Sequence, residues 1–143
     1  MSPEIRPYGW QEPAIAACIQ SLATFSVVCN ASEMGTGKTL VTLFTALRRS
    51  RSLVVVCPKS VVPDWEDWGQ RVGVKVTAVS YGKLRTGKTP LGYWQVKGKY
   101  FKWTVPADAD VVFDEAHYCA GLDTQQAELL IAAKRQKLPI LLL

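Results

Sequence analysis

The sequence predicts a three-layer α/β domain built on a mostly parallel sheet. Apolar strand-like runs alternate with segments of helical periodicity, which is the pattern of helices that cross over between parallel strands with a right-handed turn. A glycine-rich loop follows the first of these strands, and two carboxylates follow another. With 143 residues, the chain is long enough to bury one core of its own.

The first half of the chain supplies two helices and two strands in regular order. A helix over 12–24 and a strand over 25–29 lead into the glycine-rich loop, and a helix over 38–49 follows it. The strand over 53–57 is apolar throughout, as expected where helices cover both faces of a sheet, and Pro58 ends it.

The second half continues the alternation. Ser60 is expected to cap a helix that runs to about residue 71, with Pro63 tolerated in its first turn. A strand over 74–79, a strand centred on 111–113, a helix over 124–137 and a strand that opens at Pro139 complete the predicted order.

The glycine-rich loop has the composition of a phosphate-binding loop. Small residues let backbone N–H groups close around phosphate oxygens, Lys38 supplies a point charge for the β- and γ-phosphates, and Thr39 supplies a hydroxyl for Mg²⁺. The predicted nucleotide-binding residues of this loop are Met34, Gly35, Thr36, Gly37, Lys38 and Thr39.

A second stretch matches the strict phosphate-loop pattern better but lies in the wrong context. Gly82 to Thr89 fits G-x-x-x-x-G-K-[ST], whereas the loop at Lys38 has Ser32 in the first position. A working loop must open a helix whose N-terminus faces the phosphates. Pro90 and Gly92 follow Thr89, so no persistent helix is expected there, and the Lys38 site is preferred.

Two carboxylates follow the strand that ends at Phe113. Ligands of α/β sheets lie at the carboxyl ends of the strands. Asp114 is expected to hold Mg²⁺ through water, and Glu115 to orient and deprotonate the attacking water. The alternative is an acidic pair that merely favours a helix N-terminus.

Composition sets the broad class. The net charge of +5 suits a polyanionic partner without requiring one, and four scattered cysteines are typical of reduced thiols in or near a core. Residues 1–6 lack the apolar stretch of a secretory signal, and no apolar run approaches membrane-spanning length. These features predict an intracellular protein, cytoplasmic or nuclear, without a membrane partner.

Four motifs together resemble the first RecA-like lobe of superfamily 2 DEAH-box helicases and translocases, and most closely the Swi/Snf-type ATPases. The motifs are the loop from Ser32 to Thr39, the Cys57-Pro58-Lys59-Ser60 run followed by Trp65, the Asp114-Glu115-Ala116-His117 box, and Arg6-Pro7-Tyr8 followed by Gln11. In the family, Asp stands in the place of Ser32, and Gln directly follows the aromatic residue. The resemblance covers most of 6–143 except the stretch between Tyr81 and Pro106.

The resemblance implies a RecA-like P-loop fold, ATP and Mg²⁺ as cofactors, and nucleic acid as partner, with DNA favoured. It implies that Arg6 and Gln11 recognise adenine. The alternative for Gln11 is an ordinary exposed residue at a helix N-terminus. It implies that His117 couples the nucleotide state to a second RecA-like lobe, although a lone His is often structural. Lys59 and Ser60 would contact a nucleic-acid backbone, although a helix cap explains Ser60 almost as well.

Residues 82–106 form a predicted insertion with a basic and aromatic character. A β-hairpin fits the two aromatic runs that flank Lys97-Gly98-Lys99. Its outer face is a candidate nucleic-acid surface, and the alternative is aromatic packing on the domain with solvated lysines. The candidate contacts are Lys83, Arg85, Lys97, Lys99 and Lys102.

The chain as a whole is therefore predicted to be the ATP-binding lobe of a nucleic-acid-dependent ATPase. Residues 1–143 would be a piece of a longer protein, because the chain stops in a predicted strand at Leu143; a complete small protein with a buried last strand is the alternative. Alone, this lobe should bind nucleotide weakly and hydrolyse little. The competing functions are a P-loop ATPase or kinase that does not act on nucleic acid, and a non-enzymatic binding or adaptor module.

Overall fold

The computed structural model describes residues 5–29, 37–119 and 124–143. Five parallel strands form one sheet in the order β1-β7-β6-β2-β3, and a separate antiparallel hairpin pairs β4 with β5. The predicted α/β class with a parallel sheet and a β-hairpin insertion is confirmed. The strands are β1 (Val27–Cys29), β2 (Ser52–Cys57), β3 (Val76–Ser80), β4 (Gly92–Gln95), β5 (Tyr100–Trp103), β6 (Ala109–Phe113) and β7 (Ile140–Leu142).

In the described part of the chain, five α-helices and three short 3-10 turns surround the sheet. The helices are α1 (Glu12–Phe25), α2 (Lys38–Arg48), α3 (Val62–Val72), α4 (Tyr81–Thr86) and α5 (Gln125–Arg135). The 3-10 turns are Gly9–Gln11, Lys59–Val61 and Ala116–Cys119. No helix within the described residues is long and apolar enough to cross a membrane.

Helices cover both faces of the sheet, which explains the apolar runs in its central strands. Along β6, Val111 and Phe113 pack in one core with α5 and the hairpin, whereas Val112 between them packs in the other core with α1, α2 and α3. Because successive side chains of a strand point to opposite faces, an apolar run without alternation is what such a buried strand requires.

The structure corrects two sequence predictions and adds one helix. Phe25 does not start β1: it is the last residue of α1, and Ser26 follows with a left-handed backbone (φ 61°) that ends the helix. Ser60 does not cap α3, because it lies inside the 3-10 turn and Val61 holds the N-cap position. Helix α4 was not predicted; the Ser80 hydroxyl accepts the Lys83 N–H at 3.1 Å and caps it.

The hairpin is held to the domain through its inner face. Trp94 and Phe101 meet edge to face with ring centroids 5.1 Å apart, and Phe101 meets Trp103 at 4.9 Å. A side chain at Gly92 would collide with the Phe101 ring, so the glycine leaves room for this ring against β4. Glu128 of α5 and Gln136, the residue that follows α5, bind the edge of β5: Glu128 accepts the Phe101 N–H and Gln136 accepts the Trp103 N–H, both at 2.8 Å.

The expectation of core thiols is confirmed for three of the four cysteines. Cys18, Cys57 and Cys119 are buried and carry free thiols. The side chain of Cys29 lies outside the described residues.

Candidate nucleotide-binding site

Lys38 is the first residue of α2, as the choice between the two loops required. Gly37 before it has a left-handed backbone (φ 79°), a conformation that glycine adopts without strain. The helix has 11 residues, so its N-terminal N–H groups and dipole favour an anion at this end. The predicted loop residues Met34, Gly35 and Thr36 lie outside the described residues, together with the rest of 30–36.

The alternative match at Lys88 lies in a different local structure. Residues 82–86 of that stretch belong to α4, and Gly87 ends the helix in the left-handed region. The next element after Thr89 is the strand β4, so this lysine does not stand at the start of a helix.

A cleft of about 370 Å³ brings the predicted phosphate and metal residues together. It is lined by Gly37, Lys38, Thr39, Asp114, Glu115, His117 and Leu143. Parallel pairing of β1, β7 and β6 places the ends of these strands side by side, which is why residues 75 positions apart in the chain share one cleft.

The carboxylate of Asp114 is fixed through both of its oxygens. Oδ1 accepts the Glu115 N–H at 3.0 Å, and Oδ2 accepts the indole Nε1–H of Trp65 at 3.0 Å. The Asp114 carbonyl accepts the Tyr81 hydroxyl at 2.8 Å, and its N–H donates to the Val56 carbonyl at 2.8 Å. The carboxylate therefore has a defined orientation at the cleft.

Glu115 has an uncommon backbone conformation. Its φ of 55° lies in the left-handed region, which a side chain with a Cβ seldom adopts and which is found repeatedly at functional sites. Its Oε2 lies 3.3 Å from Nδ1 of His117, and the imidazole packs against Tyr118 with centroids 4.7 Å apart. The two residues of the box that the sequence analysis assigned to different roles are thus direct neighbours.

Gln11 is buried rather than exposed, so the plain alternative of a solvated helix N-terminal residue is wrong. Its Oε1 accepts the Tyr8 N–H at 2.8 Å, and a side chain at Gly37 would collide with its Nε2. The rings of Tyr8 and Trp10, both more than half exposed, stack in parallel with centroids 6.0 Å apart. Arg6, two residues before Tyr8, is exposed. Because Gln11 lies against Gly37, the predicted adenine segment is next to the end of the phosphate loop.

Burial sets the protonation of two groups near Asp114. Burial, aided by Cys119 and Asp114 among other neighbours, raises the pKa of Tyr81, so its hydroxyl remains a donor at neutral pH. Burial also raises the pKa of Cys57 to about 12, with smaller contributions from the negative charges of Asp114 and Glu66. Neither group is expected to act as a base.

The donor set of the cleft suits Mg²⁺. The Thr39 hydroxyl and the Asp114 and Glu115 carboxylates are hard oxygen ligands, which Mg²⁺ prefers, and Mg²⁺ is commonly held by one or two carboxylates with substrate phosphates and water. Lys38, in the same cleft, brings the charge that a phosphate needs.

The candidate nucleic-acid residues lie on two separate parts of the surface. Lys59 and Ser60 are exposed in the 3-10 turn that precedes α3. The other candidates are exposed on α4 and on the hairpin, namely Lys83, Arg85, Lys97, Lys99 and Lys102. The hairpin aromatics divide between two faces: Phe101 and Trp103 are buried, whereas Tyr93 and Tyr100 are each 47% exposed.

Sequence reasoning missed two residues that hold the site. Trp65 was noted only as part of a motif, and Tyr81 only as the edge of the insertion. Trp65 stands at the fourth position of α3 and Tyr81 at the first of α4, and no feature of their spacing reveals that both donate to Asp114.

The fold is that of a RecA-like domain, and comparison with known proteins agrees. The chain is 29% identical over 163 aligned positions to a protein of Acanthamoeba polyphaga mimivirus named "Putative ATP-dependent RNA helicase L364"; the alignment covers 99% of this chain and 30% of that protein. The SWI2/SNF2 ATPase core of Sulfolobus solfataricus, solved in complex with dsDNA, superimposes with a TM-score of 0.66 at 20% identity, over 99% of this chain and 33% of that one. No family model matches the sequence.

The predicted resemblance to a superfamily 2, Swi/Snf-like RecA lobe is confirmed by these two similarities. The chain spans about a third of the length of each of these proteins.

Proposed function

We propose that this chain is the ATP-binding lobe of a nucleic-acid-dependent ATPase, a DNA helicase or double-strand DNA translocase in which ATP hydrolysis drives movement on nucleic acid. The observation that carries the proposal is the cleft in which Lys38 opens a helix opposite Asp114 and Glu115. The similarity to a protein named as an ATP-dependent RNA helicase and to an ATPase core solved with dsDNA supports the same class.

Each residue of the cleft has a distinct role in this proposal. Lys38 binds the β- and γ-phosphates, and Thr39 and Asp114 hold Mg²⁺, Asp114 through water. Bound Mg²⁺ neutralises charge that develops on the phosphate oxygens. Glu115 orients the attacking water and takes its proton, and His117 beside it passes the state of the site to a second lobe.

Gln11 and Arg6 are proposed to recognise adenine. The buried Gln11 amide lies against Gly37, so a base held by this segment would be next to the phosphate loop. Met34, Gly35 and Thr36 would complete the phosphate cradle.

We propose further that residues 1–143 work together with a second RecA-like lobe in a longer protein. In the superfamily that this chain resembles, the second lobe supplies arginine fingers. An arginine finger typically increases the rate of hydrolysis by about 10³–10⁵. The isolated lobe is therefore expected to bind ATP weakly and to hydrolyse it slowly or not at all.

Titration of a fluorescent ATP analogue with Mg²⁺ tests the nucleotide site. Lys38→Ala should weaken binding at least about tenfold, because it removes the charge that contacts the phosphates. Lys88→Ala is the matched control, since it removes the same side chain from the other glycine-lysine motif and should leave affinity unchanged. Loss of binding in Lys88→Ala alone would overturn the site assignment. Absence of Mg²⁺-dependent binding in the unmodified chain would favour the adaptor alternative.

Charge distribution supports nucleic acid as the partner of the insertion. Six of the 17 basic residues lie within 82–106, which has no acidic residue, and the other 11 are outnumbered by the 12 acidic residues elsewhere. On the outer face of the hairpin, Lys102 is paired across the strands with Tyr93, and Tyr100 with Gln95. Exposed aromatic rings next to lysines suit stacked bases and phosphates.

Binding of labelled duplex DNA at several salt concentrations tests the hairpin. The double variant Lys99→Ala, Lys102→Ala should weaken binding and lower the slope of log affinity against log salt by about 2, since each phosphate contact contributes about 0.9. The control is Lys75→Ala, Lys134→Ala, which removes two exposed lysines outside the insertion. Equal effects of both double variants would mean that net charge alone governs binding. A single-stranded RNA of the same length reports whether DNA is preferred.

A further inference from the structure

Trp65 makes a directed contact with the proposed metal ligand. Its indole Nε1–H donates to Oδ2 of Asp114 at 3.0 Å, across 49 positions of sequence. The indole has a single hydrogen-bond donor and no acceptor, so this contact uses its whole polar capacity. The residue is only 3% exposed, which makes exchange of Asp114 for water costly.

The contact fixes which way the Asp114 carboxylate faces. With Oδ2 held by Trp65 and Oδ1 held by the Glu115 N–H, rotation of the carboxylate would break at least one hydrogen bond. A second cleft of about 220 Å³ lies on the Trp65 side and shares Thr39 and Asp114 with the nucleotide cleft. The indole therefore stands next to the two residues that would hold Mg²⁺.

Buried apolar side chains surround Trp65. It packs in the core formed by α1, α2 and α3 against the sheet, with Leu43 and Val112 among the buried members of that core. A ring clamped in this way holds its N–H in one position, which is what a group must do to orient a metal ligand.

We propose that Trp65 is a positioning residue for the magnesium site: its indole N–H holds the Asp114 carboxylate in the orientation that binds the metal. The proposal rests on the proposed function, because it assigns a role within the same nucleotide site. In this proposal Trp65 is not a metal ligand and acts through Asp114.

The test compares two tryptophan-to-phenylalanine variants. Trp65→Phe keeps a buried ring but removes the N–H. Trp103→Phe is the matched control, because Trp103 is 2% exposed and its Nε1–H donates at 3.0 Å to the Leu129 carbonyl, a contact of α5 rather than of the cleft. Circular dichroism and thermal melting establish that each variant is folded.

The readout is the Mg²⁺ concentration that gives half of the metal-dependent gain in binding of a fluorescent ATP analogue. Trp65→Phe should raise this concentration by about 10–100-fold, the usual effect of removing a group that holds a metal ligand, and should leave metal-free nucleotide binding unchanged. Trp103→Phe should change neither quantity. A folded Trp65→Phe variant with the Mg²⁺ dependence of the unmodified chain would overturn the inference while leaving the proposed function intact.

Failure of the proposed function and failure of the Trp65 positioning role give different results. If the unmodified chain shows no Mg²⁺-dependent nucleotide binding, the proposed function is contradicted and this inference falls with it. If binding depends on Mg²⁺ in the unmodified chain and equally in both variants, only the positioning role is wrong.

A second measurement needs neither nucleotide nor metal. Indole N–H resonances of the five tryptophans can be assigned from single Trp→Phe variants, and the Trp65 signal follows by elimination if its own variant does not fold. Asp114→Asn should shift the Trp65 signal and leave the Trp103 signal in place. An unmoved Trp65 signal would show that the contact is absent in solution and would overturn the inference.

Discussion

The two ends of β6 each carry an aspartate, and the two are held in opposite ways. Asp110, near the amino end, is fully buried and forms ion pairs with Arg49 and with Arg51, the latter at 2.8 Å. Asp114 follows the carboxyl end, is half-buried, and takes its two side-chain hydrogen bonds from neutral donors, the Trp65 indole and the Glu115 N–H.

This difference separates a structural carboxylate from one available for chemistry. Two guanidinium groups satisfy the charge of Asp110 inside the protein, so it has little to offer a ligand. Neutral donors orient Asp114 and leave its charge to be matched by something in the cleft. The carboxyl end of the sheet is also where a parallel α/β fold leaves an open crevice.

The largest effect is expected at the amino end. Asp110→Ala should lower the free energy of unfolding by about 3–5 kcal/mol, because it leaves Arg49 and Arg51 partly buried without their counter-charge. Urea unfolding measures this loss in the free energy of unfolding. Asp108→Ala is the control: Asp108 is exposed and its carboxylate accepts the Ser52 hydroxyl at 3.2 Å, so loss of this side chain should cost less than about 1 kcal/mol. Equal losses would remove the distinction between buried and exposed carboxylates.

At the carboxyl end of β6, loss of the carboxylate should affect stability little and metal-dependent binding strongly. Asp114→Asn should lower the free energy of unfolding by only about 1–2 kcal/mol, because the amide keeps one acceptor for its two donors. Its Mg²⁺ requirement for nucleotide binding should rise by about 100-fold or more, since the substitution changes the proposed ligand itself rather than a residue that positions it. Asp110→Asn is the comparison variant, because it makes the same substitution at the amino end of β6. A variant at Asp114 that binds Mg²⁺ and nucleotide normally would make the two aspartates equivalent.

The smallest effect concerns Cys57, the last residue of β2. Its pKa rises from about 9 to about 12 in the folded protein, first through burial and then through the charge of Asp114. The thiol therefore contributes stability that is complete below pH 9 and is lost as the pH rises toward 12, because only the unfolded chain ionises in that window.

Unfolding measured at pH 8 and pH 10 tests this dependence. The unmodified chain should lose about 1 kcal/mol more than Cys57→Ala between these pH values, given that one pKa unit corresponds to about 1.4 kcal/mol. Comparing the two pH dependences removes the cavity effect of the substitution itself. Parallel losses in both proteins would mean that Cys57 has an ordinary pKa.

Local sequence patterns predicted most elements, because each one depends on neighbours along the chain. The helix opening at Lys38, the apolar strands and the hairpin all follow from periodicity and turn residues within short windows. The errors also have local causes. Phe25 has strong strand propensity, but α1 continues through it and ends only at Ser26, whose backbone is left-handed. Ser60 is a good capping residue, but it lies in a 3-10 turn that forms before α3 begins.

The sequence by itself determined the fold class, and it predicted the residues of the candidate site, since phosphate and metal chemistry demand particular side chains at the ends of strands. Only the tertiary structure decided how these residues are held. Trp65, Tyr81 and Gln11 acquire their partners across the sheet and between helices, and Asp110 is neutralised by arginines some 60 positions away. Such contacts are set by how parallel strands bring distant segments side by side, which no local pattern encodes.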